Sequence, residues 1–131
     1  MSNNLKLAKY FLQKYIDSDS KQLEIFVSSD FKYYVNLGEP LNFKQFLERM
    51  SLFQTSSEAV FSDISSEDDV HFYFNFELVL APPNQDQKAI GLVQVVILGD
   101  FISKVFVDYS QNAEEYEEFL TLLKTSPTVL L

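Results

Sequence analysis

Three strand-like runs joined by two turns constrain the fold of this chain more than any other stretch. The runs are Val70 to Leu80, Lys88 to Leu98 and Phe101 to Tyr109. Gly99 follows the second run, and glycine accepts the positive φ that a tight two-residue hairpin turn needs. Pro82 and Pro83 follow the first run and cannot continue a hydrogen-bonded ladder, which indicates a longer loop. The pattern predicts a meander of three antiparallel strands.

Side chains alternate along a strand, so the meander has two faces with distinct residues. Pairing Leu98 with Phe101 across the turn places Gln94 opposite Val105, and the Pro-Pro loop places Asn75 opposite Gln94. One face then carries His71, Tyr73, Asn75, Glu77, Leu92, Gln94, Val96, Ser103, Val105, Val107 and Tyr109. The other carries Phe72, Phe74, Phe76, Leu78, Leu80, Gly91, Val93, Val95, Ile97, Ile102 and Phe106. Because a slip of one residue exchanges the faces, this partition depends on the register.

Composition excludes several classes of function. The 131 residues suit a single domain, residues 1–131, and 47% of them are hydrophobic. The net charge of −9 argues against binding to nucleic acid or to an anionic membrane, since both need clustered basic residues. Cysteine is absent, and neither a signal peptide nor a membrane-spanning run is visible. We therefore expect a cytoplasmic protein without a cofactor or metal.

The remaining elements are predicted from apolar spacing and capping residues. A first helix carries Leu5, Ala8 and Leu12 on one side, with Ser2 or Asn3 as its cap. A short second helix follows Asp19, a strand covers Phe31 to Val35, and Asn42 with Gln45 begins a third helix. A strand over Ala59 to Ile64 precedes the meander. Asn112 can cap a last helix that turns Ala113, Tyr116, Phe119, Leu120 and Leu123 inward. Helices segregated from antiparallel strands define an α+β domain.

This succession of elements resembles a known superfamily. The first helix ends in Asp17-Ser18-Asp19-Ser20, a short helix leads to Ser29-Asp30 and an aromatic strand, and the meander ends in Gly99-Asp100-Phe101-Ile102-Ser103 and Asp108-Tyr109. The pattern is similar to the nuclear transport factor two-like superfamily, which includes ketosteroid isomerase and the SnoaL-like polyketide cyclases. The resemblance implies a cone-shaped, curved antiparallel β-sheet wrapped around N-terminal helices, with a C-terminal helix and a pocket at the open end. It also implies a homodimer formed through the outer face of the sheet.

The residues on which the family's chemistry depends are absent from the matching positions of this sequence. The isomerase's oxyanion-hole acid would fall at Gln94, and its general base near Val35 or Asn36. Its pocket tyrosine would fall near Phe11, one residue from Tyr10, and the cyclases' polar pair would fall at Val105 and Val107. None of these replacements titrates near neutral pH, whereas proton abstraction needs a positioned group with a tuned pKa. No catalytic residue is therefore predicted, and the question of enzymatic activity stays open.

A polar cluster on the concave face is the candidate ligand site. It consists of Tyr73, Asn75, Glu77 and Gln94, and Tyr10 and Tyr109 complete the set of pocket candidates. A few polar groups converging on an apolar surface are typical of ligand pockets. The alternative is that the phenylalanine stripe faces inward and the polar cluster is solvated. His71, the only histidine, is more typical of a surface residue beside Asp68 and Asp69.

Three functions are compatible with these observations. The first is the binding of a small apolar or amphipathic molecule in the concave pocket. The second is an isomerase, cyclase or hydratase in which Glu77 or Tyr73 transfers a proton. The third is a non-catalytic interaction module whose pocket is filled by side chains.

A homodimer is predicted in each case, because a contiguous apolar sheet face is unusual on a soluble monomer. The predicted interface consists of Phe72, Phe74, Phe76, Val93, Val95, Ile97, Ile102 and Phe106. If the register slips by one residue, the interface moves to Ile90, Leu92, Val96, Val105 and Val107.

Overall fold

The computed structural model describes residues 2–16, 20–80, 88–110, 114–115, 117–118 and 121. Its elements are α1 (Asn3–Ile16), a 3₁₀ helix (Ser20–Phe26), β1 (Val27–Val35), α2 (Phe43–Ser56), β2 (Ser57–Phe61), β3 (His71–Leu80), β4 (Lys88–Leu98) and β5 (Phe101–Tyr109). The five strands form one sheet in the order β1-β5-β4-β3-β2. β1 runs parallel to β5 and the other neighbours are antiparallel. The predicted α+β fold class is confirmed, although the sheet is mixed and not wholly antiparallel.

The helix starts follow the predicted capping residues. Ser2 Oγ accepts a hydrogen bond from the N–H of Leu5 at 2.9 Å and so caps α1. At the start of α2, the N–H of Gln45 donates to Asn42 Oδ1 and the N–H of Asn42 donates to Gln45 Oε1, both at 2.9 Å. This reciprocal pair is a capping box, which satisfies donors that the helix itself cannot pair.

Four predictions about the other elements need correction or lie outside the described residues. The second helix is a 3₁₀ helix, and β1 begins at Val27 and not at Phe31, because Val27 pairs with Ile102 on β5. β2 spans Ser57–Phe61, two residues earlier than expected at its start, and follows α2 directly. In the predicted last helix, Glu114, Glu115, Glu117, Glu118 and Thr121 have helical backbone. Its inward positions Ala113, Tyr116, Phe119, Leu120 and Leu123 lie outside the described residues.

The meander is confirmed, with a type I′ turn between β4 and β5. Gly99 and Asp100 both have positive φ, 57° and 68° respectively, as this turn requires. Leu98 pairs with Phe101 as predicted. Asn75 pairs with Leu92 and not with Gln94, so the β3–β4 register is two residues from the prediction. A shift of two residues leaves every side chain on its predicted face.

A β-bulge on β5 exchanges the faces of that strand. Ile97 pairs with Ile102, but the next partner of β4, Val96, pairs with Lys104, so Ser103 is an extra residue on β5. From Lys104 onward the side chains are therefore shifted by one. Val105, Val107 and Tyr109 share a face with the phenylalanines of β3, whereas Phe106 lies on the opposite face with Gln94. The predicted partition is wrong for this strand.

The helices cover the phenylalanine face. Phe72, Phe74, Phe76, Val93, Val95, Val105 and Val107 are buried there together with Ala8, Phe11 and Phe46 of the helices. The ring of Phe46 packs between the helices and the sheet: its centroid lies 5.1 Å from that of Tyr33 on β1 and 6.0 Å from that of Phe11 on α1. The prediction that the polar cluster faces the helices and the phenylalanine stripe faces outward is therefore wrong. With the bulge included, this face is apolar in all three strands of the meander, while the other carries Glu77, Lys104 and Asp108. Among the described residues, no helix is long and apolar enough to cross a membrane.

Gly91 allows two aromatic rings to meet over β4. It pairs with Phe76 on one side and Tyr109 on the other, and these rings contact edge to face at 5.3 Å. A Cβ atom at residue 91 would lie 2.4 Å from the backbone oxygen of Asp108 and 2.6 Å from Cζ of Phe76. Because one neighbour is backbone, a side chain here requires the strands to move apart.

We expect Gly91→Ala to lower the free energy of unfolding by about 1–3 kcal/mol, the usual cost of overpacking a core. Urea denaturation followed by circular dichroism measures the change. The control is Ser29→Ala on exposed β1, which should stay within about 0.5 kcal/mol of the wild type. Equal stability of the glycine and alanine proteins would contradict the close approach.

Hydrogen bonds join the start of α1 to the turn before β3. Ser2 Oγ donates to Asp69 Oδ1 at 2.5 Å, and Asn4 Nδ2 donates to the backbone oxygen of Asp69 at 2.8 Å. Asp68 shapes the turn, since its Oδ1 accepts from the N–H groups of His71 and Val70 at 2.8 and 2.9 Å. Its Oδ2 lies 2.6 Å from His71 Nδ1. The backbone N–H of His71, followed by the His71 side chain and the N–H of Val70, holds the pKa of Asp68 well below its usual range.

We expect Asp68→Asn to lower the melting temperature at neutral pH, because the amide cannot replace the carboxylate in these bonds. A carboxylate with a lowered pKa stabilises the fold above its ordinary pKa of 3.8, and this contribution is lost as the pH falls toward the folded-state value. The difference in melting temperature between the wild type and Asp68→Asn should therefore become smaller as the pH is lowered from about 7 to about 2. Asp63→Asn changes the same charge outside this turn and is the control. A pH-independent difference would contradict this account.

Candidate functional site

An apolar cavity lies between the helices and the inner face of the sheet. Its volume, counted as the space open to the centre of a water molecule, is about 40 Å³. On that measure one water needs roughly 10–15 Å³, so the space equals about three waters. The sheet and β1 contribute Tyr33, Phe61, Phe74, Phe76, Leu78, Val93, Val105, Val107 and Tyr109, and the helices contribute Phe11, Leu12, Phe46 and Met50.

The chemistry of the described lining is almost wholly hydrocarbon. Among the described lining residues, only Tyr33 and Tyr109 carry hydroxyl groups, and none is Asp, Glu, His, Lys or Arg. A cavity of this kind stays dry, because water inside it would lose hydrogen bonds. Met50 has an unbranched side chain that adapts its shape easily, so this part of the wall can adjust to an occupant.

A polar groove on the surface adjoins the cavity. Leu12 and Phe61 line both spaces, and they are partly exposed. The groove side adds Lys9, Gln13, Ser62, Asp63 and Ile64. The ring of Phe61 also packs edge to face on that of Phe74 at 5.6 Å, inside the cavity wall. Leu12 and Phe61 therefore lie between an apolar interior and a surface groove that carries both a cation and an anion.

Of the predicted pocket residues, the structure places Tyr109 on the cavity wall. The bulge at Ser103 brings it there, since its neighbours Val105 and Val107 also line the cavity. Tyr10 lies outside the lining and packs edge to face on Phe26 with 5.1 Å between ring centroids. The ammonium of Lys14 lies 5.2 Å above the ring of Tyr10.

The other four predicted residues lie together on the face of the sheet that points away from the cavity. Gln94 Nε2 donates to the hydroxyl of Tyr73 at 3.2 Å, and Glu77 Oε1 lies 3.4 Å from Lys88 Nζ. Asn75 has its backbone N–H bonded to Ser62 Oγ at 2.8 Å. Tyr73 and Asn75 are exposed, and Glu77 and Gln94 are partly exposed. The cluster exists as predicted, but it does not line the cavity, and the solvated alternative describes its position.

The cavity residues that were not among the candidates come chiefly from the phenylalanine stripe and the helices. Phe11, Phe46 and Met50 all stood on apolar helical stripes, and Phe74 and Phe76 on the alternate sheet face. Such stripes are also what an ordinary core produces, so periodicity alone could not separate cavity wall from solid core. The bulge at Ser103 would have decided between the faces, but the alternating pattern of Phe101 to Tyr109 carries no signal for it.

A second group of ionisable residues surrounds the turn before β3. Asp68 and His71 form the close side-chain contact described above, and a shallow depression beside them is also lined by Ser65, Ser66, Glu67 and Tyr73. Within the described ranges, no three His, Cys, Asp or Glu side chains come close enough to hold a metal ion.

Comparison with known proteins shows similarity in structure without similarity in sequence. No protein-family model matches the chain, and no curated protein matches its sequence. Among solved structures, a candidate polyketide cyclase from Xanthomonas campestris is 16% identical, with a TM-score of 0.65 over 92% of this chain and 96% of that one. A candidate ketosteroid isomerase from Kribbella flavida is 12% identical, with a TM-score of 0.69 over 84% of this chain and 79% of that one. A candidate SnoaL-like polyketide cyclase from Jannaschia is 9% identical, with a TM-score of 0.69 over 95% and 94%.

These similarities define the class of fold. The chain has the α+β architecture of the candidate polyketide cyclases and the candidate ketosteroid isomerase to which it is similar. The fold implied by the sequence resemblance is therefore confirmed. Because proteins with this fold differ in activity, the fold does not decide the function of this chain.

Proposed function

We propose that this protein binds a small apolar or amphipathic molecule in the cavity between its helices and its sheet. The observation that carries the proposal is a hydrocarbon cavity that meets a polar groove at Leu12 and Phe61. An apolar group in the cavity removes no hydrogen bonds from the protein and gains contacts with the surrounding side chains. A polar group of the same molecule would remain in the groove, near Lys9 and Asp63.

The size of the cavity limits the ligand class. About 40 Å³ is well below the roughly 150 Å³ of an apolar cavity that binds benzene, so the cavity accommodates a short alkyl group, and an aromatic ring enters only if the walls move. Met50 and the partly exposed Leu12 are the side chains best placed to move, since Met50 is flexible and Leu12 borders the groove. A longer ligand would therefore enter from the groove and displace these two residues first.

The enzyme hypothesis has weaker support than binding. The candidate cyclases and isomerase that share the fold suggest proton transfer, but Glu77 and Tyr73 lie on the other face of the sheet. Among the described residues, the cavity wall offers no carboxylate and no imidazole, which are the groups that most often act as general acid or base near neutral pH. The hypothesis of a solid interaction module is also less favoured, because the described side chains leave an unfilled cavity.

We expect toluene to bind in the wild-type cavity and to shift the NMR signals of the methyl groups of Met50, Val93 and Val107. A ligand that binds only the folded state should also raise its stability, by about 2.7 kcal/mol at a concentration of 100 Kd. Val105→Phe should abolish both effects by filling the cavity. Val93→Ile, which adds one methyl group, should weaken binding with less risk to folding.

The matched control for Val105→Phe is Val60→Phe. Val60 is 67% exposed on β2, away from the cavity lining, so the same substitution there should leave toluene binding unchanged. Binding that survives both Val105→Phe and Val93→Ile would place the ligand elsewhere. A wild-type protein that shows no toluene-induced shift would refute the proposed function.

A further inference from the structure

The groove outside the cavity carries two charged side chains of opposite sign on different walls. Lys9 lies on α1, three and four residues before Leu12 and Gln13, which is the spacing that places residues on one face of a helix. Asp63 lies on the segment that follows β2. Among the described residues that line the groove, Lys9 and Asp63 are the only ones with charged side chains. The groove therefore offers one cation and one anion to a ligand.

Neither of these charges is paired with another described side chain. The ion contacts within the described ranges join His71 to Asp68 and Lys88 to Glu77. Lys9 and Asp63 are exposed and line the same groove without forming an ion pair with each other. A ligand that carries an anion and a cation can therefore pair with both.

Hydrogen bonds hold the two walls of the groove in place. Ser62 donates its N–H to the backbone oxygen of Asn75 at 3.0 Å and accepts the N–H of Asn75 on its Oγ at 2.8 Å. On the other side of Asp63, the backbone of Ser65 pairs with that of Tyr73. The α1 wall is held at its start by the hydrogen bonds to the turn before β3 described above. Asp63 thus lies between two points joined to β3, so its carboxylate is presented from a fixed segment of backbone.

The cavity and the groove differ in size, and this limits the shape of the ligand. Counted in the same way as the 40 Å³ of the cavity, the groove offers about 420 Å³. The apolar part of the ligand is therefore a short alkyl group, and the larger polar head group remains outside. Because Leu12 and Phe61 line both spaces, the head group begins where the alkyl group ends. In an α-amino acid, the ammonium and the carboxylate are both attached to the carbon that bears the side chain.

We propose that the ligand is a zwitterionic α-amino acid with a short alkyl side chain, such as leucine. This inference rests on the proposed function and names the class of ligand that the cavity and groove bind together. The alkyl side chain enters between Leu12 and Phe61. The ammonium of Lys9 donates to the ligand carboxylate, and the ligand ammonium donates to the carboxylate of Asp63, which are charge-assisted hydrogen bonds.

A zwitterion suits the charges of this protein better than an ion of either sign. The net charge of −9 repels a ligand that carries only a carboxylate, and such a ligand leaves Asp63 without a partner. A ligand that carries only an ammonium leaves Lys9 without one. A zwitterion has no net charge to be repelled and pairs with both side chains.

Four leucine derivatives test the proposal by NMR titration of isotope-labelled protein at about pH 6.5, where both groups of leucine are charged. L-leucine carries both charges, N-acetyl-L-leucine only the carboxylate, L-leucinamide only the ammonium, and N-acetyl-L-leucinamide neither. Leucine should shift the amide signals of Lys9 and Asp63. It should bind about three- to fivefold more tightly than either singly charged derivative, as expected for an exposed ion pair. The uncharged derivative should bind most weakly.

Two variants assign each ligand charge to its side chain. Lys9→Gln should weaken leucine and N-acetyl-L-leucine by about three- to fivefold and leave L-leucinamide unchanged. Asp63→Asn should weaken leucine and L-leucinamide by the same factor and leave N-acetyl-L-leucine unchanged. These differences separate the loss of a charge from any steric effect of the acetyl group. The controls are Lys44→Gln on α2 and Asp100→Asn in the β4–β5 turn, which make the same charge changes away from the groove and should leave all affinities unchanged.

The results that would overturn the proposal are distinct from those that would refute the proposed function. Binding of L-leucinamide as tight as that of leucine would indicate an amine or the N-terminal residue of a peptide. Equally tight binding of N-acetyl-L-leucine would indicate a carboxylate or a C-terminal residue. Toluene binding without leucine binding would overturn the amino acid and leave the apolar cavity as the binding site. Absence of both would refute the proposed function as well.

Discussion

The extra residue at Ser103 determines which side chains of β5 point into the protein and which point out. One inserted residue shifts the side-chain alternation of the rest of the strand, so Val105, Val107 and Tyr109 join the phenylalanines of β3. Without the bulge, the inner face would carry Lys104, Phe106 and Asp108, and two charged groups would be buried beneath the helices at a large free-energy cost. The all-apolar inner face that α1 and α2 cover therefore depends on this irregularity. The position of the cavity depends on it too, because three of its wall residues follow Ser103.

Local signals in the sequence predicted most of the fold. The Gly99-Asp100 turn, the Asn42–Gln45 capping box and the Ser2 cap all formed, because each rests on residues close together in the chain. Pairings between distant residues were not predictable in the same way. β1 begins at Val27 because it lies beside Ile102, and nothing in Val27 to Asp30 alone distinguishes a strand from a helix end. The bulge is of the same kind, since a strictly alternating pattern fits Phe101 to Tyr109 equally well with Val105 inside or outside.

The predicted polar cluster formed on one face of the sheet, but that face does not line the cavity. Tyr73, Asn75, Glu77 and Gln94 do form a polar cluster on one face, and Tyr73 and Gln94 share a hydrogen bond. The cluster lies on the outer face because the helices cover the more continuous apolar surface, and the bulge makes the phenylalanine face that surface. Tyr109 entered the candidate set with the polar face and is the one member that lines the cavity. The shared fold with candidate cyclases and isomerases thus comes with a cavity wall that has neither carboxylate nor imidazole among its described residues.

The two surfaces of this sheet are built from alternate residues of the same strands, and this links the cavity to the outer face. On β5, Val105 and Val107 line the cavity, while Lys104, Phe106 and Asp108 point outward between and beside them. A substitution on one face changes the contacts of that face alone, since neighbouring side chains point in opposite directions. A movement of the backbone is different, because it displaces both sets. At Gly91 the strands approach closely, because a Cβ atom there would meet the backbone oxygen of Asp108 and the ring of Phe76. A ligand that separated β4 from β5 in the cavity would therefore also change the spacing between the paired residues Gln94 and Phe106 on the outer face.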